Sequence, residues 1–213
     1  MAEPFRIVVL ASGSGTNLQA ILDGLHGEGA VEVAGVGSDK PDARALERAR
    51  EAGVETGVFP RAEHESREAR DAEMGTWIEG LEAELVVLAG YMQLLSPAFV
   101  ERFRNRIVNI HPALLPSFPG LDAVGQALAA GVWVTGVTVH FVDEGVDSGP
   151  IILQEAFDVL PYSGDIAAIE ERVHEIEHRL LPRAVRLIAA GRVRVDPDRP
   201  RHVLVEGGTN GDD

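Results

Sequence analysis

Cysteine is absent from the 213 residues. That absence excludes a disulfide framework, thiol catalysis and Cys-ligated metal, and it suits a reducing compartment. Lysine is nearly absent as well: Lys40 is the only one, and the other basic residues are arginines scattered along the expected helices. Positive charge is scarce overall, with 19 basic against 34 acidic residues and a net charge of −15. Such a surface repels nucleic-acid backbones, and no local basic patch offsets it, so no nucleic-acid partner is expected. The acidity itself reads as solubility. No apolar run is long enough to span a bilayer, and no apolar h-region precedes the first strand. The expectation is therefore a soluble, unexported, cytoplasmic chain with no membrane partner.

What is present is ordinary for a globular protein: 45% hydrophobic and 25% charged residues, in a length that suits one generous domain. Residues 5–11 hold the apolar run IVVLA, which stops at a Ser/Gly cluster, the pattern of a parallel strand buried on both faces. Residues 17–25 follow with apolar positions at helical spacing. Strands are expected at 31–36, 54–59, 85–89 and 106–110, with helices at 42–52, 65–81 and from Ser96-Pro97 to about 103. This alternation predicts an α/β fold, a Rossmann-like doubly wound, mostly parallel sheet. Residues 133–142 and 151–159 are joined by too short a link for a parallel crossover, so they predict an antiparallel C-terminal hairpin. A long C-terminal helix is expected over 166–190. The expected organisation is a single domain over 1–195 and a breaker-rich, disordered tail over 196–213.

The turn after the first strand reads LASGSGTNLQA, residues 10–20. A triphosphate-binding loop would need a Lys after the second Gly, and there is none. A dinucleotide loop would need a third Gly where Leu18 stands. A small phosphomonoester held by backbone N–H groups at a helix start remains, with Thr16 and Asn17 adding side-chain donors. An ordinary tight turn is the plainer alternative.

Farther on, Asn109-Ile110-His111-Pro112 ends a buried strand and runs into ALLPSFPG. Two residues apart on a strand, Asn109 and His111 point to the same side, at the sheet edge where open α/β folds bind ligands. An amide donor beside a titratable imidazole suits acyl chemistry, holding a carbonyl oxygen and moving a proton. The three prolines that follow fix a rigid loop beside the pair.

Five segments in order, SGSGTNLQAI, LAGYMQLLSPAFV, VNIHPALLPSFPG, GVTVHFVDEGVDSGPIILQ and RVHEIEHRLLP, resemble the phosphoribosylglycinamide formyltransferases over roughly residues 5–190. These are folate-dependent formyltransferases of purine biosynthesis. The resemblance implies transfer of a formyl group from 10-formyltetrahydrofolate, as co-substrate, to the amine of glycinamide ribonucleotide, by direct attack and with no metal. It puts the family's catalytic Asn and His on Asn109 and His111, and the aspartate that serves the His on Asp147. The phosphate-binding loop falls on Gly15, Thr16 and Asn17, and a glycinamide-contacting Glu on Glu177. The folate-lining residues fall on Arg67, on Met92, Gln93, Leu94 and Leu95, and on Asn109. The chain departs from the pattern at Gln93, where relatives often carry Arg, and at Asp122, where many carry His. Small-molecule partners and a monomer or homodimer are implied. Rival expectations are a formyltetrahydrofolate hydrolase-like enzyme and a dinucleotide-dependent reductase. Methionyl-tRNA formyltransferase fits less well, since an acidic surface opposes tRNA. His174 and His178 stand i,i+4 with Glu177 between them, but Glu177 is better used on substrate, so no metal site is expected.

Overall fold

A computed structural model of the chain describes residues 3–27, 29–162 and 165–206. The chain divides into two compact units, the first ending at Val108 and the second beginning at Asn109.

In the first unit, β1 (Phe5–Leu10) pairs in parallel with β2 (Val31–Ser38) on one side and β4 (Leu85–Leu88) on the other, and β2 pairs in parallel with β3 (Glu55–Val58). Strand order is β3-β2-β1-β4-β5, with β5 (Ile107–His111) crossing the unit boundary. Helices α1 (Thr16–Leu25), α2 (Arg44–Glu51), α3 (Arg67–Gly80) and α4 (Pro97–Arg102) alternate with these strands. Ile7, Val8, Val9 and Leu10 are each 0% exposed, which explains the unbroken apolar run: a strand covered on both faces has no wet side to mark with polar residues. Each such side chain contributes about 1.5–3 kcal/mol on leaving water. The chain steps outward from β1 to β3, then returns to β4 on the opposite flank of β1. That reversal opens a crevice beyond the carboxyl ends of β1 and β4, the position at which open α/β sheets take ligands.

In the second unit the order runs β5-β6-β7, and β6 (Val134–Phe141) pairs antiparallel with β7 (Ile151–Asp158), as the short link requires. Helix α6 (Ile166–Ala189) buries Ile169, Val173, Ile176, Leu180 and Leu187 of the stripe expected from its periodicity, whereas Ile166 in the first turn is 56% exposed and Ile188 is not fully buried. The fold is thus the doubly wound, mostly parallel sheet with an antiparallel C-terminal hairpin and a long C-terminal helix. Three elements were not expected. Helix α5 (Ala123–Ala129) follows Asp122, whose side chain caps Gly125 N–H at 3.2 Å. Strands β8 (Val193–Val195) and β9 (Val203–Val205) form a second small antiparallel sheet, so residues 196–206 of the expected tail are folded back as a turn and a strand. Asp196 organises that turn, accepting from Asp198 N–H at 3.0 Å and Arg199 Nε at 2.9 Å. The rest of that tail, 207–213, lies outside the described residues. No helix among the described residues is long and apolar enough to cross a membrane.

Candidate active site

In the first unit, two segments leave the carboxyl ends of neighbouring strands at the crevice. The turn after β1 is bound to the segment after β4 by Ser12 N–H to Gly90 O at 3.0 Å and by Met92 N–H to Ser12 Oγ at 2.8 Å. Gly15 precedes α1 with φ +70°, and a Cβ there would lie 2.8 Å from Ala45, so only glycine fits. Helix α2 braces the turn: Ala45 N–H donates to Gly13 O at 3.1 Å, and Arg48 Nε to Ser14 O at 2.9 Å. No side chain caps the first turn of α1 and none of its residues is acidic, so its leading N–H groups suit an anion. Leu18, where a dinucleotide loop wants glycine, is 0% exposed and serves the core. Thr16 and Asn17 open the helix.

After β4 the segment 91–96 carries Met92 and Leu94 outward, 60% and 65% exposed, while Gln93 turns its amide to Asp39 and Arg70. Arg67 starts α3 just after the Ser66 cap and pairs with neighbouring Glu68 at 3.3 Å. Within the first unit, Arg70 donates to Gln93 and to Leu94 O of the 92–95 segment.

In the second unit, Asn109, His111 and Asp147 come together. Asp147 lies in the β6–β7 link with φ +50°, a left-handed conformation that Asp adopts more readily than most residues. Gly149 lets that link fold back tightly, since a Cβ there would sit 1.9 Å from Phe141 O. The Asp147 carboxylate faces His111 Nδ1 at 3.3 Å and accepts from Asn109 Nδ2 at 3.3 Å and from Gly120 N–H at 2.8 Å. A fourth neighbour, His140 Nε2, stands 3.6 Å away. Burial opposes charge on Asp147, but the His140 hydrogen bond, the Gly120 N–H and the positive field of the two imidazoles outweigh it, so its pKa falls below the usual carboxylate value.

His111 is 4% exposed and meets oxygen on both sides, Asp147 at Nδ1 and the Phe118 carbonyl at Nε2, 2.8 Å away. Both contacts are satisfied only when both ring nitrogens carry protons, so the geometry suits an imidazolium. The 112–121 loop is pinned to the sheet through Thr138 Oγ1, which donates to Ala113 O at 2.7 Å and accepts from Leu115 N–H at 3.1 Å. Gln126 of α5 holds the loop's far end, donating to Pro119 O at 3.1 Å and Leu121 O at 2.8 Å. Asp122 is therefore a helix cap with no basic role.

His140 escaped the sequence reading because it sits inside an apolar β-run, VTVHF. A β-bulge between Val139 and His140 interrupts the β6–β7 register at this residue, and its Nε2 also stands 3.3 Å from Asn109 Nδ2. Glu177 is 7% exposed on the buried stripe of α6. The rings of His174 and His178 stack at 6.1 Å, nearly parallel at 8°, and among the described residues no group of three or more His, Asp or Glu side chains is placed to hold a metal.

An amide, an imidazolium and a carboxylate so arranged can hold a developing oxyanion and relay a proton. The profile of the formyl transferase family matches residues 5–185. The chain belongs to the formyl transferase family. It is 45% identical over 192 residues to the phosphoribosylglycinamide formyltransferase of Mycobacterium tuberculosis (strain ATCC 25618 / H37Rv), covering 90% of this chain and 88% of that one. The crystal structure of glycinamide ribonucleotide transformylase 1 from Symbiobacterium toebii matches with a TM-score of 0.90 at 49% identity, over 96% of this chain and 95% of that chain. The trifunctional purine biosynthetic protein adenosine-3 of Drosophila melanogaster is 42% identical over 200 residues, but the chain spans only 14% of its length. Within this formyl transferase, the cluster around Asp147 is the acyl-transfer candidate of the second unit, and the crevice segments are the ligand candidates of the first.

Proposed function

We infer that the chain transfers the formyl group of 10-formyltetrahydrofolate to the amine of glycinamide ribonucleotide, releasing tetrahydrofolate, in purine biosynthesis. The observation that carries this reading is the hydrogen-bonded cluster of Asn109, His111 and Asp147, in a chain similar over most of its length to proteins of that name. The amine nitrogen attacks the formyl carbon, forming the new C–N bond and turning the carbonyl oxygen into an oxyanion. Collapse restores the carbonyl and breaks the bond to N10 of the folate, which receives the proton given up by the amine. Asn109 N–H and protonated His111 stabilise the oxyanion, which would take the place of the Phe118 carbonyl at His111 Nε2. Asp147, ionised through the working pH range, orients His111 and favours its charged form.

Gly15, Thr16 and Asn17 hold the ribose 5-phosphate with the N–H groups at the head of α1. Glu177 takes the glycinamide end, where a carboxylate suits an amine. Met92 and Leu94 present apolar area to the flat folate ring, with Leu95 beside them, and Arg67 attracts the folate's carboxylates; Asn109, in the other unit, is the residue proposed to meet the donor's formyl group. The decisive experiment is a spectrophotometric formyl-transfer assay with purified protein, glycinamide ribonucleotide and 10-formyltetrahydrofolate. Turnover requiring both substrates is expected. Formate release without the ribonucleotide would favour a hydrolase, and stabilisation by NAD(P)H alone would favour a reductase.

A further inference from the structure

Segment 91–96 of the first unit has no helix or ladder to fix its shape. It is held instead by four side chains from three other places in that unit. Ser12 Oγ accepts Met92 N–H at 2.8 Å, and Asp71 Oδ2 accepts Ser96 N–H at 2.6 Å. Asp39 Oδ2 accepts Gln93 Nε2 at 2.9 Å. Arg70 Nη1 donates to Gln93 Oε1 at 3.3 Å and Arg70 Nη2 to Leu94 O at 3.1 Å. Arg70 is 0% exposed and also binds Asp71 through Nε at 2.9 Å and Nη2 at 2.6 Å. A guanidinium this deep is tolerated only when its charge is paired and its donors are used. Asp71 supplies the pairing, and two of the remaining acceptors both belong to the exposed segment.

We propose that Arg70 is the positioning residue of the folate-donor face, with Gln93 as a latch clamped between Arg70 and Asp39. The latch draws the Gln93 side chain inward, which leaves Met92 and Leu94 as the outward apolar wall. Gln93 then acts on the ligand through the shape of its segment rather than by contact. This inference rests on the reading that the crevice takes a formyl-folate. The clamp is directional: Gln93 accepts from a cation on one side and donates to a carboxylate on the other. Gln93→Glu keeps the acceptor for Arg70 but sets two carboxylates against each other, and Asp39→Asn in the same chain restores a donor–acceptor pair with the direction reversed.

The test measures kcat, the KM of each substrate, and tetrahydrofolate affinity by calorimetry. Gln93→Glu is expected to raise the folate KM and the tetrahydrofolate Kd about tenfold, with the KM for glycinamide ribonucleotide moving less than about twofold. The double variant D39N/Q93E is expected to return the folate values to within about threefold of wild type. Arg70→Lys, which keeps the charge but loses the fork that serves several acceptors, is expected to weaken folate in the same selective way. Should Arg70→Lys fail to fold, the Gln93 and Asp39 variants decide alone. An unchanged folate KM in Gln93→Glu, an equal rise for both substrates, or no rescue in the double variant overturns the proposal. A wild-type protein that binds tetrahydrofolate but transfers no formyl group would defeat the functional reading instead, and calorimetry on the variants would still decide the latch. A wild type that does not bind tetrahydrofolate overturns the latch as well.

Discussion

Two polar networks, one in each unit, are built from similar parts and do opposite things. Around Arg70 a cation is sealed from water, paired with Asp71 and spent on positioning a backbone segment. Around Asp147 an anion is left partly accessible, 13% exposed at its side chain, with two imidazoles and an amide on its oxygens. The first network contains no group whose proton must move for it to work. The second sets a carboxylate beside an amide and two imidazoles, a side-chain type that can take up and give off protons. The difference teaches that burial and hydrogen-bond count do not distinguish a site from a brace. What would distinguish them is whether the partners of the charge belong to a side-chain type that can exchange protons.

The largest effect that would break this comparison is expected at Asp147. Asp147→Asn keeps the shape and the acceptor for Gly120 N–H but removes the charge that favours protonated His111. Formyl transfer should fall about 10³-fold, within the range for losing a positioned acid–base group, while Tm moves by only about 2–4 °C. Steady-state kinetics and a thermal melt on one preparation check both halves. Near-wild-type turnover would demote the Asp147 cluster to a brace.

The converse is expected at Asp71. Both members of the Arg70–Asp71 pair are 1% exposed at their side chains. Asp71→Asn strands a buried guanidinium and weakens the bond to Ser96 N–H, so unfolding free energy should drop by about 3 kcal/mol, read from denaturant midpoints. A change below about 0.5 kcal/mol, the range of surface substitutions, would mean that the pair is not the brace described here.

The first strand was legible because an unbroken apolar run, IVVLA, that stops at a Ser/Gly cluster permits little else, and the β6–β7 hairpin because its link is too short for a crossover. The Ser96 cap was legible in the same local way, and its side chain accepts Phe99 N–H at 3.3 Å. Asn109 and His111 could be read from strand alternation, and Asp147 only through the family resemblance. Helix α5 has an Asp cap and good helix formers behind it, a signal masked by the preceding run of prolines and glycines. The β8–β9 strands are too short for periodicity, and they form because each supplies the other's ladder. Arg70 and His140 were illegible for a shared reason. Their roles depend on groups far along the chain, Gln93 and Leu94 for one, Asp147 for the other, and no local pattern encodes such a partner.

The smallest expected effect sharpens the comparison most. His140 Nδ1 lies 2.8 Å from the Phe141 carbonyl, which can only accept, so that nitrogen carries a proton and Nε2 is left to face Asp147 and Asn109. His140→Gln should lower kcat only about three- to tenfold, the scale of one hydrogen bond in a shared network. Its diagnostic is pH. A depressed carboxylate pKa means that the stabilisation from ionised Asp147 is complete above the unfolded-state value and is lost as pH falls through the lower folded-state value. In wild type that loss therefore falls below the ordinary Asp value of 3.8. Removing His140 deletes the largest of the lowering influences while burial still raises the pKa, so the folded-state value moves back toward the unfolded one and the acid-labile stabilisation shrinks. Comparing acid unfolding of wild type, His140→Gln and Asp147→Asn reads this directly. The His140 variant should start less stable near neutral pH and lose less stability than wild type as pH falls below the ordinary Asp value, and Asp147→Asn should lack that loss. Superimposable acid limbs for wild type and His140→Gln would mean that His140 packs beside the carboxylate without sharing its charge.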